Sequence, residues 1–209
     1  FQPAEERLPG GAKQMIQEGV LRNPRVNHIF GQHVFPDLEA GKVGFKTGKY
    51  MASTDEIYIN VIGVGGHAAL PEKTRNPIIA ACSLINSLYD YFNKEKNRPA
   101  IFSIGFINAE GSTNIIPNDL QMMGTFRCIN DKFRVDAHKK MTSIADSIAK
   151  RFQVTVKFEI REGYPSLEND KGLTLRAIGL AKEFLGEDQV VDLSLRMTAE
   201  DFSYFTKEI

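Results

Sequence analysis

The sequence predicts a mixed α/β fold in which a small β-α-β-β-α-β domain interrupts a larger α/β domain. Three observations predict it. Between Asp55 and Arg161, four runs alternate apolar residues by two and two runs repeat them by three and four. The flanking segments have a different texture, with glycines and short apolar runs before this stretch and a helical stripe with an apolar run after it. With 209 residues, 42% of them hydrophobic, the chain can bury a sizeable core in one or two domains.

Along the chain, Ala12, Met15, Ile16 and Val20 fall at helical spacing behind Gly10 and Gly11 and before a turn at Pro24. Phe30 to Pro36 suggests a strand ending at a polar loop. Ile57, Ile59 and Val61 alternate in the first strand of the inserted domain. Asn76 can then cap a helix with Pro77 at its first position, its stripe being Ile78, Ala81, Cys82, Ile85, Leu88, Tyr89 and Phe92. Ile101 to Ile107 makes the second strand, and Leu120, Met122, Phe126 and Cys128 alternate in the third. Asn130 or Asp131 can cap the second helix, with a stripe of Ala137, Met141, Ile144, Ala145, Ile148 and Phe152. Val154, Val156, Phe158 and Ile160 form the fourth strand. This order is the ferredoxin-like arrangement, whose two helices cover one sheet face and so leave the strands alternating. Leu173, Ala177, Leu180, Ala181 and Phe184 mark a further helix, followed by an apolar strand from Gln189 to Leu195. The expected domains are therefore 1–53 with 163–209, and 54–162, with crossings near Met51 to Asp55 and Glu162 to Pro165. There is no internal repeat or low-complexity tract.

Charge excludes some partners. Twenty-six Lys and Arg balance 26 Asp and Glu, so no broad field favours nucleic acid or an anionic membrane. No stretch approaches the roughly 18 apolar residues of a membrane helix. A small molecule or a protein is the expected partner, and a cytoplasmic setting the expected location. Cys82 and Cys128 lack CxxC spacing and read as core residues. The opening Phe1-Gln2-Pro3 reads as the end of a strand, so the 209 residues are expected to be a piece of a longer chain.

Glu5 and Glu6 leave a loop after that run, where one carboxylate could hold a divalent ion while the other accepts a proton. Taken alone, two adjacent carboxylates are a weak signal, and a solvated turn paired with Arg7 is the simpler account of them. His33, in GQHVFP, is a histidine between apolar residues, open to a core, surface or metal-ligand role. His67 sits in the glycine-rich loop GVGGHAALP, and Asn114 in STNIIPN lies between two strands, where its amide can bond substrate or close a turn. Arg127 points away from the apolar face of its strand, toward an anionic group or solvent. His28 and His138, the latter beside Lys139 and Lys140, receive no role, and Glu200 and Asp201 read as caps of the next helical turn, with a functional use of their carboxylates open. There is no phosphate loop and no Gly-x-Ser-x-Gly elbow.

Taken together, FQPAEE, GQHVFP, GVGGHAALP, STNIIPN, GTFRC and TAEDFSYF resemble the metal-dependent aminoacylase and carboxypeptidase group, in particular its hippurate hydrolase and indole-acetyl-amino-acid hydrolase branch. The resemblance covers essentially the whole chain. It implies a zinc-peptidase-like catalytic domain, present in part, and a ferredoxin-like satellite domain that mediates homodimerisation. It further implies two divalent ions, Zn, Mn or similar, and a small N-acyl amino acid substrate hydrolysed at its amide bond. By resemblance Glu5 is the general base, Glu6 and His33 are metal ligands, and His67 stabilises the oxyanion, often across the dimer. Asn114 and Arg127 hold the substrate carboxylate. The family's other ligands come from a Cys-His motif before FQPAEE and a histidine nearer the C-terminus, and neither lies in these 209 residues. The isolated chain is therefore expected to bind metal weakly and turn over little. The alternatives are a non-catalytic dimerising module and a dipeptidase or carboxypeptidase of the same group.

Overall fold

A computed structural model describes Pro3, residues 10–94 and residues 99–209; Glu5 and Glu6 lie outside the described residues. The chain divides into two units, Phe1–Ser53 with Gly163–Ile209, and Thr54–Glu162.

In the first unit, helix α1 spans Gly11–Gln17 and buries Ala12. The buried carboxylate of Asp201 accepts a hydrogen bond from the Ala12 N–H at 2.9 Å, satisfying one of the free amides at the helix start. The strand expected at Phe30 to Pro36 does not form. That segment pairs with no described strand, and its apolar residues Phe30 and Val34 are 67% and 82% exposed. Strands instead occur at β1, Val43–Phe45, and β2, Gly48–Met51.

The second unit runs β3 (Asp55–Ile62), β4 (Gly66–His67), α2 (Pro77–Lys94), β5 (Ala100–Asn108), β6 (Ile115–Ile116), β7 (Asp119–Cys128), α3 (Asp131–Phe152) and β8 (Thr155–Glu162). β5, β7, β3 and β8 form one antiparallel sheet in that order, and β4 pairs with β6 apart from it. Ile57, Ile59 and Val61 of β3 and Leu120, Met122 and Phe126 of β7 are all buried on one face, against α2 and α3. Both helix starts are capped by asparagine. Asn76 Oδ1 accepts from Ile78 N at 2.9 Å, and Asn130 Oδ1, rather than Asp131, accepts from Phe133 N at 3.1 Å. The apolar stripe of α2 is rotated from the expected one. Ala80, Ala81, Leu84, Leu88 and Phe92 are buried, whereas Cys82 is exposed and Ile78 and Tyr89 are each 37% exposed. This helix carries apolar residues on more than one face, so spacing alone admits two stripes.

The chain then returns to the first unit through β9 (Leu167–Asn169), α4 (Lys171–Leu185), β10 (Val190–Asp192) and α5 (Phe205–Glu208). β1 pairs parallel with β10, and β2 antiparallel with β9. The strand expected from Gln189 to Leu195 is shorter than its apolar run. Gly186, at φ 99°, ends α4, and a 3₁₀ turn at Glu187–Gln189 takes up the first part of it. No described helix is long and apolar enough to cross a membrane.

Candidate functional site

His33 is exposed, and its Nδ1 lies 2.7 Å from the carbonyl oxygen of Val34. A carbonyl can only accept, so Nδ1 carries the proton and, in the neutral ring, Nε2 carries the lone pair. A backbone carbonyl that fixes the tautomer in this way leaves Nε2 free to accept, which is compatible with a metal ion.

His67 has the opposite arrangement. β4 sets it beside Ile115 of β6, and this pairing brings the backbones so close that a Cβ on Gly65 would lie 2.5 Å from the Ile116 carbonyl oxygen. The Ala69 N–H donates to His67 Nδ1 at 3.1 Å. A ring nitrogen that accepts has no proton, so the neutral imidazole carries it on Nε2 and presents a donor. One histidine is thus set to give a lone pair, the other to give a hydrogen bond.

Asn114 belongs to the His67 cluster. Its carbonyl accepts from Ala68 N at 2.9 Å, and its side-chain Oδ1 accepts from the Ser112 hydroxyl at 3.1 Å. The side-chain amide, on an exposed residue, is left with its N–H donors to offer. Arg127 lies elsewhere. The loop cluster sits at the Asp119 end of β7, where Gly63 N bonds the Asn118 carbonyl at 2.8 Å. Arg127 is eight residues along the same strand, about 27 Å away at strand rise. Within one copy of this unit, His67 and Asn114 come together and Arg127 does not join them.

Among the described residues no group of three or more His, Cys, Asp and Glu gathers to hold a metal ion. His33 is the one expected ligand that can be described, and its chemistry fits the role. Glu5, the expected base, and Glu6, the expected second ligand, fall outside the described residues.

A charged cluster escaped the sequence reading. Asp55, fully buried, accepts from Arg134 Nε at 3.1 Å and from the Arg134 terminal nitrogen, and its Oδ2 lies 2.7 Å from His138 Nε2. Arg134 also donates to the Thr54 carbonyl at 3.3 Å, and His138 Nδ1 is 3.7 Å from Glu162. His138 is therefore turned inward from the lysine-rich surface suggested by its neighbours. Burial pushes the Asp55 carboxyl up, but the His138 and Arg134 hydrogen bonds outweigh it and hold the group below its ordinary value. A signal existed in the sequence. Asp55 shares the parity of Ile57, Ile59 and Val61, and Arg134 and His138 are four apart on one helix, on the same side as Ala137 and Met141.

Comparison with known proteins adds an independent line. Residues 1–209 match peptidase family M20/M25/M40. A hippurate hydrolase of Campylobacter jejuni is 36% identical over 210 residues, covering 98% of this chain and 54% of the relative. An N-acetylcysteine deacetylase of Bacillus subtilis is 35% identical over 211 residues, covering 100% and 54%. Among solved structures, the Bacillus subtilis YXEP protein, described as a dinuclear metal binding peptidase, superposes with a TM-score of 0.79 at 32% identity, covering 100% of this chain and 52% of that one. The chain spans about half the length of the curated relatives it matches.

Proposed function

Because the chain belongs to peptidase family M20/M25/M40, we propose that the protein containing it hydrolyses the amide bond of N-acyl amino acids, releasing a carboxylic acid and a free amino acid. The observation that carries this reading is the opposed pair of neutral-ring histidines, His33 with its lone pair on Nε2 and His67 with its N–H there. A hydrolytic site of this kind needs both, one to hold a cation and one to meet the oxyanion. The names of two relatives agree with the substrate class, since hippurate and N-acetylcysteine are both N-acyl amino acids.

In this reading Glu5 takes the proton from the attacking water and returns it to the leaving amine. Glu6 and His33 hold divalent metal, two ions in the intact site, Zn, Mn or similar. When bound, the metal polarises the carbonyl and makes water a stronger acid. His67 Nε2–H donates to the oxyanion as it develops, the kind of contact worth about 3–4 kcal/mol. Asn114 and Arg127 bind the substrate carboxylate. The first unit is part of a zinc-peptidase-like catalytic domain, and the second is the ferredoxin-like satellite, a reading supported by its β-α-β-β-α-β order and antiparallel strands.

Homodimerisation through the satellite completes the proposal. β5 is an edge strand with no charged residue along Ala100–Asn108, and Phe106 and Ile107 are 42% and 55% exposed on it. An uncharged edge is a template for a second strand, and a second copy is the simplest source. The 27 Å or so between the His67 loop and Arg127 has a natural use if each copy lends His67 and Asn114 to its partner's site. A cytoplasmic setting goes with this reading.

The test is a panel of N-acyl amino acids and dipeptides on the intact protein, with Glu5→Gln as the control. Hydrolysis of acyl amino acids with a fall in kcat of about 10²–10⁴-fold in the variant is expected. Retention of most activity by Glu5→Gln would remove the assigned base.

A further inference from the structure

The His33 loop has no strand partner among the described residues, which raises the question of what holds it. Two contacts flank the histidine, and both come from one short segment. On one side the Phe202 ring lies against Gly31, so close that a Cβ there would sit 2.9 Å from Phe202 Cδ2 and 3.0 Å from Cε2. On the other side the Arg196 guanidinium lies over the Phe35 ring, 4.5 Å from its centroid. Gly31 and Phe35 are each two residues from His33.

The segment that makes these contacts is itself fastened. Arg196 N donates to the Tyr50 carbonyl at 2.8 Å, and Ala52 N to the Thr198 carbonyl at 3.0 Å, with Ala52 fully buried. Asp201, next to Phe202, is fully buried and accepts from Ala12 N at 2.9 Å. The Phe202 and Phe205 rings pack edge to face with centroids 5.6 Å apart.

We propose that Arg196 and Phe202 are positioning residues for His33. They hold the loop on both sides of it, and the bond from Nδ1 to the Val34 carbonyl restrains the ring's rotation. The inference rests on the reading of His33 as a metal ligand and adds what aims that ligand. Gly31 is required in this arrangement because any side chain there would meet the Phe202 ring and tilt the loop.

The experiment is titration of the metal-free intact protein with Co(II), following the ligand-field absorption of the bound ion and, separately, the unfolding temperature of the metal-free protein. Phe202→Ala and Gly31→Ala should each weaken Co(II) binding by about tenfold or more and shift the absorption, while Phe202→Tyr, which keeps the ring, binds as the parent does. The double variant Gly31→Ala with Phe202→Ala should bind no more weakly than Phe202→Ala alone, since the added methyl then meets no ring. Arg196→Met reports on the other side of the loop and should also lose affinity. A purely structural role would lower the unfolding temperature and leave Co(II) affinity and spectrum unchanged. Parent-like Co(II) binding by Phe202→Ala and Arg196→Met, together with loss of binding by His33→Ala, would overturn the positioning roles and leave the ligand in place. Undiminished binding by His33→Ala would overturn both.

Discussion

At the residue scale, hydrogen bonds from the backbone decide what each histidine can do. The Ala69 N–H makes the His67 ring a donor at Nε2, and removing that donor should slow the chemical step more than it weakens substrate binding. His67→Ala in the intact protein is expected to lower kcat about 10²–10³-fold with little change in KM, as steady-state kinetics would show. Asp55 is the other residue whose surroundings fix its behaviour. It is fully buried and held by two cationic or potentially cationic side chains, so truncation strands Arg134 in the interior. Asp55→Ala should destabilise the 209-residue chain by about 3–5 kcal/mol in urea. The sign of its pH dependence follows from the lowered carboxyl. The stabilisation is fully present above the ordinary value of 3.8 and is lost as pH falls through the lower folded value. Asp55→Asn should therefore flatten the acid limb of stability below about pH 4, and an unchanged limb would contradict the role of this carboxylate. The roles of Glu5, Glu6, His33 and His67 were suggested by sequence through motif order, because no single one of these residues is distinctive. The opposed histidine tautomers were not legible, since they depend on which backbone group each ring meets.

At the element scale, alternation located all four strands of the β5-β7-β3-β8 sheet, and Asn76 before Pro77 marked the first cap, because a period of two and a cap before proline are local signals. The second cap was open between Asn130 and Asp131 in the sequence, and the bond from the Phe133 N–H to Asn130 decides it. Where signals were not local, the reading failed. Phe30 to Pro36 is apolar enough for a strand, but a strand also needs a neighbouring edge, and among the described residues it has none. On α2, Ile78, Ile79, Ile85 and Tyr89 compete with Ala80, Leu84 and Leu88 for the core, and only the packing of β3 and β7 beneath the helix chooses between them. The choice has a measurable consequence. Leu84→Ala, at a fully buried position, should cost about 2–5 kcal/mol of stability, whereas Cys82→Ala, two residues away on the exposed side, should stay within about 0.5 kcal/mol. Denaturant unfolding of the two variants side by side checks the orientation. Asn76→Ala should remove about 1 kcal/mol through the lost cap of the same helix.

At the scale of the whole molecule, the division at Ser53/Thr54 and Glu162/Gly163 places the buried Asp55, Arg134 and His138 cluster beside both crossings of the chain. The uncharged edge of β5 gives the second unit a surface suited to another copy. In the proposed dimer, Ile107→Lys, which puts a charge on that edge, should shift the intact protein to monomer in sedimentation, and an unchanged profile would contradict an interface at β5. If copies share their sites, two inactive variants can repair one another. A mixed dimer of Glu5→Gln with His67→Ala then contains one site with both groups intact and one with neither. Unfolding and refolding an equal mixture of the two variants, then measuring hydrolysis of an N-acyl amino acid, tests this directly. Recovery of about one quarter of parent activity is the result expected for a symmetric dimer that lends His67 across its interface. No recovery, with mixed dimers shown to have formed, would contradict it.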